Sequence, residues 1–117
     1  MGIKEDVKEL NDMILNGKMM EAFEKFYADD VVMQENSEEP RVGKDANREF
    51  EKKFMENIEE FHGAKLNATA FTDEGDIAMN YWDMDITFKG QERKKSSEIA
   101  VQKWKDGKIV NERFFHS

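Results

Sequence analysis

The spacing of apolar residues along the chain changes at position 62, from steps of three or four residues to steps of two. Before that position, three segments carry their apolar side chains on one helical face, which predicts three amphipathic helices. Those faces consist of Ile3, Val7, Leu10 and Ile14; of Met19, Met20, Phe23, Phe26 and Tyr27; and of Phe50, Phe54, Ile58 and Phe61. We expect Gly17 to end the first helix in a left-handed conformation and Asp45 to cap the third.

Strands are predicted in two parts of the chain. A first strand follows Asp29-Asp30, between the second and third helices, and a polar loop over residues 37–43 comes after it. Four longer strands are predicted over residues 62–72, 77–88, 93–105 and 108–116. Short turns join them, with Asp106-Gly107 as the strongest hairpin signal, so these four should form an antiparallel meander. Strands well above the usual length of about five or six residues predict a strongly bent sheet.

The order helix, helix, strand, helix and then four strands is an α+β arrangement, and 117 residues suffice for a single domain over 1–117. The net charge of −8 argues against nucleic acid and anionic membranes as partners, because both require clustered basic residues. There is no cysteine, and hence no disulfide or thiolate chemistry. No apolar run reaches the roughly 20 residues of a membrane span. We therefore expect a cytoplasmic protein that contacts neither nucleic acid nor membrane.

One carboxylate occupies an unusual position in the first strand. Glu35 falls on the same face as Val31 and Met33, because alternate strand residues share a face. A carboxylate in an apolar cup becomes a better proton acceptor near neutrality, since burial disfavours its charged form. Glu35 is therefore a candidate general base, and His116 or Glu112 could return the proton. The alternative is that Glu35 lies at a solvated strand end and that His116 is a solvated residue near the C-terminus.

Three segments of the sequence carry a resemblance to a known superfamily. They are "FYADDVVMQEN", "RVGKDANREFEKKF" and "VQKWKDGKIVNERFFHS", in this order along the chain. They resemble the nuclear transport factor 2-like superfamily, which includes the SnoaL-like polyketide cyclases and the ketosteroid isomerases. The resemblance implies a cone, in which three N-terminal helices lie over a strongly curved, mainly antiparallel sheet and the open end is a pocket. It also places Glu35 at the position of the general-base aspartate of the isomerases.

The resemblance, combined with strand parity, predicts which residues line this pocket. In the family the pocket is formed by the face of the sheet under the helices, and alternate residues of each strand share that face. The expected lining residues are Tyr27, Met33, Phe50, Phe54, Asn80, Trp82, Met84, Glu98, Gln102 and Phe114, together with the catalytic candidates Glu35, Glu112 and His116. No metal or cofactor is expected, because neither histidine has a partner at metal-ligand spacing. A β-bulge would reverse the parity of every position beyond it.

Two departures from the isomerase pattern argue against steroid isomerisation. Asn11 and Ala100 stand where the isomerases have the tyrosine and the carboxylic acid that stabilise their dienolate. Tyr27 matches only a supporting tyrosine of their hydrogen-bond network. Without that oxyanion hole, the largest electrostatic contribution to catalysis is missing.

The sequence thus predicts a SnoaL-like small-molecule pocket protein, and one hypothesis is acid–base catalysis of the isomerase or cyclase type with Glu35 as the base. Two alternatives are non-catalytic binding of a small apolar molecule with a polar group, and a dimeric assembly module. Ile99 and Val101 alternate with the inward-facing Ala100 and Gln102, so one strand carries apolar residues on both faces. We therefore expect a homodimer through the outer face of the sheet.

Overall fold

The computed structural model of the chain describes residues 2–117, in three helices and six strands. The helices are α1 (Ile3–Leu15), α2 (Met19–Phe26) and α3 (Lys44–Glu56). The strands are β1 (Tyr27–Glu35), β2 (Arg41–Val42), β3 (Ile58–Phe71), β4 (Ile77–Phe88), β5 (Lys94–Lys105) and β6 (Lys108–His116). Gly17 has a φ of 77° just after α1, so it ends that helix in the left-handed conformation that the sequence predicts.

All six strands belong to one sheet in the order β2-β1-β6-β5-β4-β3. β1 runs parallel to β6, whereas every other neighbouring pair is antiparallel. The register between β3 and β4 shifts in three places along their length, and irregularities of this kind bend and twist a sheet. The predicted α+β architecture, with three helices on a curved and mainly antiparallel sheet, is confirmed.

The predicted end of the third helix is wrong. α3 stops at Glu56, and β3 begins at Ile58, so Ile58 and Phe61 are strand residues although their spacing continues the helical pattern. Strand pairing overrides the periodicity here. Ile58 is paired with Phe88 of β4. The backbone N–H of Lys89 donates a hydrogen bond of 2.9 Å to the carbonyl oxygen of Asn57.

The start of α3 also differs from the prediction. Gly43, with a φ of 97°, caps the helix in place of Asp45, which lies in the first turn. The segment predicted as a loop contains the short strand β2, in which Val42 is paired with Val32. The side-chain amide of Asn47 donates to the carbonyl oxygens of residues 41 and 43, at 3.0 and 2.8 Å. This amide therefore fastens the β2 segment to α3 and fixes the backbone at position 41.

The main core lies where α1 and α2 cover the sheet. Phe26 of α2 packs edge-on against Trp104 of β5, with ring centroids 5.8 Å apart. The buried residues of this core are Val7, Leu10, Ala22, Phe23, Phe26, Tyr27, Val31, Met33, Ala78, Trp104 and Ile109. α3 supplies none of them, because its buried residues are the polar Asn47 and Glu51. Apolar side chains thus fill the space between the sheet and helices α1 and α2, whereas the residues that α3 buries are polar.

Candidate functional site

A cavity of about 310 Å³ lies between α3, the α1–α2 connection and the sheet. Its walls are mostly apolar and consist of Ile14, Gly17, Met19, Phe50, Phe54, Met55, Ile58, Phe61, Ala64, Met84, Ile86 and Phe114. The charged side chains that residues 2–117 contribute to the lining are three carboxylates, Glu35, Glu51 and Glu98. A cavity of this size is at the lower end of the range for small-molecule sites, which are also mostly apolar with a few polar groups.

Glu35 reaches the cavity from the last residue of β1 and is held by two basic side chains. Arg41 donates from Nη2 to Glu35 Oε2 at 3.1 Å, and His116 Nε2 lies 3.1 Å from Glu35 Oε1. The guanidinium of Arg41 also donates to Asn47 Oδ1 at 3.1 Å and stacks on the ring of Phe50 at 3.6 Å. Glu35 is therefore not a free carboxylate at the strand end, because both of its oxygens have partners.

The imidazole of His116 is positioned by backbone contacts near the C-terminus. The backbone N–H of His116 donates to Asn36 Oδ1 at 2.9 Å, and the N–H of Asn36 donates to the carbonyl of Phe114 at 2.7 Å. These bonds tie the end of β6 to the end of β1. The backbone of His116 is therefore anchored, while its side chain remains 31% exposed.

Glu51 is the member of the cavity that the sequence interpretation missed. It lies on α3, is only 8% exposed, and within residues 2–117 it has no hydrogen-bond or ion-pair partner. Burial, together with the negative charge of Glu35, raises the pKa of Glu51 to about 7 against an opposing effect of Arg41. The available signal was its position, since Glu51 lies three residues before Phe54 and four after Asn47, on the inner side of the helix.

Glu98 faces the same cavity from β5, where it is paired in register with His116. Burial raises the pKa of Glu98 to about 7, and the charge of Glu35 acts in the same direction, while His116 opposes the shift. Both carboxyl groups therefore titrate much closer to neutrality than an ordinary glutamate does. Each of them can give or take a proton under physiological conditions.

Glu112, the third catalytic candidate from the sequence, does not line the cavity. It is buried below it, where Tyr27 Oη donates to Oε1 and Gln102 Nε2 donates to Oε2 at 2.7 Å. Trp104 Nε1 in turn donates to Gln102 Oε1 at 3.2 Å. Burial raises the pKa of Glu112 to about 8, although the hydrogen bonds from Tyr27 and Gln102 lower it. The prediction that Glu112 faces a ligand is corrected, because its oxygens are occupied by neighbouring side chains.

The predicted lining residues divide into two groups. Phe50, Phe54, Met84, Glu98 and Phe114 lie on the cavity wall, as does Glu35. Tyr27, Met33, Asn80, Trp82 and Gln102 are instead buried in packed parts of the protein away from this wall. They share the inner face of the sheet, as parity requires, but other side chains fill the space above them. For example, Tyr27 stacks on Phe23 at 4.8 Å, and Asn80 accepts a hydrogen bond of 2.9 Å from Asn11.

Within residues 2–117, no group of three or more His, Cys, Asp or Glu side chains is arranged to hold a metal ion. The carboxylates of the cavity face a common space without converging on one point. None of the helices in this part of the chain has the length and apolarity that crossing a membrane requires.

Comparisons with known proteins give a consistent result. A family model described as a SnoaL-like domain matches residues 1–116. A proposed SnoaL-like polyketide cyclase from Mesorhizobium loti is 31% identical in sequence, and the match covers 97% of this chain and 98% of that one with a TM-score of 0.87. Comparison with curated proteins gives no match.

Two more distant structures share the fold. One is a proposed isomerase from Bacillus subtilis, at 17% identity, with 97% and 84% of the two chains covered and a TM-score of 0.79. The other is SalBIII, an epoxide hydrolase/cyclase-like enzyme in pyran ring formation in polyether salinomycin, at 19% identity, 97% and 89% coverage and a TM-score of 0.79. The matched family model spans nearly the whole sequence, and the chain therefore belongs to the SnoaL-like domain family.

Proposed function

We propose that the cavity binds a small, largely apolar molecule and catalyses a proton transfer on it, in a reaction of the isomerase or cyclase type. The observation that carries this proposal is that Glu51 and Glu98, two carboxyl groups on a mostly apolar cavity wall, have no hydrogen-bond partner within residues 2–117. Catalytic acids and bases work best when their pKa lies near the operating pH. Both groups meet that condition, with pKa values raised to about 7.

The geometry favours Glu51 over Glu35 as the group that removes a proton. A carboxylate that already accepts a hydrogen bond from a guanidinium is a weaker base than one without such a partner. Glu35 has Arg41 and His116 as partners, whereas Glu51 has none within residues 2–117. In this scheme Glu51 takes a proton from a carbon beside a carbonyl group, and Glu98 donates one to the carbonyl oxygen. Glu35 is a positioning residue, whose fixed charge raises the pKa of both.

The comparisons support this class of reaction. The relative from Mesorhizobium loti is described as a proposed polyketide cyclase. An aldol-type cyclisation begins with removal of a proton beside a carbonyl group, which is the step proposed for Glu51. The alternative, in which the cavity binds an apolar molecule without transforming it, uses the same walls and differs only in the role of the two carboxyl groups.

The experiment is deuterium exchange in D₂O on a panel of small cyclic ketones, with and without an amino substituent, followed by proton NMR. We expect the wild type to accelerate exchange beside the carbonyl of some members, and Glu51→Gln to slow it by roughly 100-fold, as for loss of a general base. Glu49→Gln, at an exposed position of the same helix, is the matched control and should leave the rate unchanged. If ketones bind without any exchange above the buffer rate, catalysis is rejected and the binding alternative stands.

A second proposal concerns assembly, and it rests on the outer face of the sheet. Met79, Tyr81, Ile99 and Phe115 are each between 41% and 43% exposed, and they lie on three adjacent strands. Ile99 is in register with both Tyr81 and Phe115, so the patch is continuous across β4, β5 and β6. We propose that a second copy of the chain covers this patch, because a two-fold axis near the central Ile99 would place the same apolar side chains against each other.

Light scattering tests the dimer. We expect Ile99→Lys to give monomers at tens of micromolar, because it places a charge in the middle of the apolar contact. Val42→Lys is the matched control, since Val42 is an exposed apolar residue on β2 at the far edge of the sheet. A wild-type protein that is monomeric at this concentration would contradict the proposal.

A further inference from the structure

The charges on the cavity wall are all of one sign. Among the described residues that line it, Glu35, Glu51 and Glu98 are acidic and none is basic. Arg41 and His116 contact Glu35, but they do so from outside the lining. Of the side chains between residues 2 and 117, those that present a charge on this wall are therefore carboxyl groups.

Of the three carboxyl groups, Glu51 gives the strongest indication that the ligand carries a hydrogen-bond donor. It is more than nine-tenths buried, faces the cavity, and has no hydrogen-bond donor within residues 2–117. Its carboxyl oxygens are not sealed inside the protein but open to the cavity, so a donor for them has to come from within the cavity. A donor carried by the ligand would supply the missing partner.

Mutual repulsion points to the sign of that partner. The charge of Glu35 raises the pKa of Glu51 and of Glu98, and the charge of Glu98 adds to the shift at Glu51. A positive group placed among the three would relieve this repulsion at each of them. The same group would stabilise the ionised form of Glu51 and Glu98, and ionised carboxylates would in turn bind it more tightly.

The rest of the wall fits an organic cation. Four phenylalanine rings line the cavity, at positions 50, 54, 61 and 114. Aromatic faces attract cations as well as burying apolar surface. A bare metal ion fits less well, because within residues 2–117 the acidic side chains form no metal-binding group.

We propose that the ligand of the cavity is a small apolar molecule that carries a protonated amine, and that the ammonium group pairs with Glu51 and Glu98. This inference shares only the cavity with the proposed function. An ammonium group that pairs with Glu51 and Glu98 keeps both ionised, so the amine occupies these two carboxyl groups in place of a ketone substrate. The sequence predicts a ligand with a polar group of unspecified kind, and we now infer that this group is a cation.

The test uses 2-phenylethylamine and 2-phenylethanol, which share a carbon skeleton and differ in the charge of the polar group. Titration calorimetry at pH 8 should show the amine binding at least tenfold more tightly than the alcohol. Glu51→Gln should remove roughly tenfold of the amine affinity, about 1.4 kcal/mol, and leave the alcohol unchanged. Glu49→Gln should change neither, which separates the cavity from the general negative charge of the surface.

The pH dependence gives a second readout. Between pH 6 and pH 8, Glu51 and Glu98 lose their protons while an alkyl amine keeps its own, so amine affinity should rise. The other charged groups that act on these two are Glu35, Arg41 and His116. The alcohol should show no such rise.

Several results would overturn the inference. These are equal affinity for the two probes at pH 8, an amine affinity that is flat between pH 6 and 8, an unchanged amine affinity in Glu51→Gln, and no binding of the amine at millimolar concentration. Failure here with ketone exchange intact would leave the proposed catalysis standing. Amine binding without any ketone exchange would support the inference and reject the catalysis.

Discussion

Two regions of this protein bury carboxyl groups, and they differ in the hydrogen-bond donors that surround the buried group. Under α1 and α2, Glu112 is surrounded by donors, with Tyr27 on one oxygen and Gln102 on the other. Under α3, Glu51 is buried nearly as deeply and has no donor within residues 2–117. Burial raises the pKa of both residues, to about 8 and about 7.

The comparison shows that a perturbed pKa alone does not identify a functional residue. Structural networks and active sites both shift pKa values, so the hydrogen-bond partners must decide between them. Glu112 has its partners inside the protein and belongs to the packed core. Glu51 faces a cavity, and its carboxyl oxygens have no donor within residues 2–117, so they can accept a hydrogen bond from a ligand.

The largest effect should follow from breaking the satisfied network. Glu112→Ala leaves the buried hydroxyl of Tyr27 and the amide of Gln102 without their acceptor, and it opens a void. We expect the free energy of unfolding to fall by about 3 kcal/mol. Urea unfolding at pH 7 measures it, with Asn111→Ala at the exposed neighbouring position as the control. A loss similar to that of the control would show that the network contributes little.

Glu51→Gln should have the opposite sign. A carboxyl whose pKa is higher in the folded state binds more protons there, so its stabilising contribution is full below the ordinary value of 4.5 and is lost as the pH rises to about 7. Glutamine does not ionise, so in Glu51→Gln the stability no longer falls as the pH rises through this range. The variant should match the wild type at pH 4 and be about 1–2 kcal/mol more stable at pH 8. Thermal melts across this range decide it, and a destabilised variant at pH 8 would contradict the absence of a partner.

The smallest effect is expected at Glu35, which lies between the two cases. For a carboxylate in an apolar cup, as the sequence predicts for Glu35, removal of the charge in Glu35→Gln would leave stability at neutral pH unchanged or higher. The structure reverses that expectation, because the variant takes the carboxylate from the largely buried Arg41. We expect a loss of about 1 kcal/mol at pH 7. Unfolding experiments on Glu35→Gln and Glu38→Gln compare the paired residue with an exposed one nearby.

Much of the fold could be predicted from the sequence, because each element has a clear apolar period and clear turn residues. The errors lie where two signals compete. Ile58 and Phe61 continue the helical spacing of α3, and only pairing with β4 places them in a strand. Asp45 has the side chain of a helix cap, but Gly43 has the backbone conformation that the position takes.

The site was less predictable, for two physical reasons. Strand parity shows which face a residue is on, but it cannot show how far the helices fill that face. Trp82 and Met84 therefore looked equivalent, although only Met84 reaches the cavity. Glu51 was missed because a charged residue on an amphipathic helix is normally solvated. Its burial depends on where α3 lies on the sheet, which is a property of the tertiary structure.

Carbon-13 NMR of the glutamate carboxyl groups shows directly whether Glu51 is a buried carboxyl group whose partner is a ligand. We expect a titration midpoint for Glu51 near 7, and a lower midpoint when 2-phenylethylamine is present. The midpoint of Glu112, near 8, should move much less, because its oxygens already have donors within the protein. A Glu51 midpoint near the ordinary value of 4.5, or one that the amine leaves in place, would contradict the account.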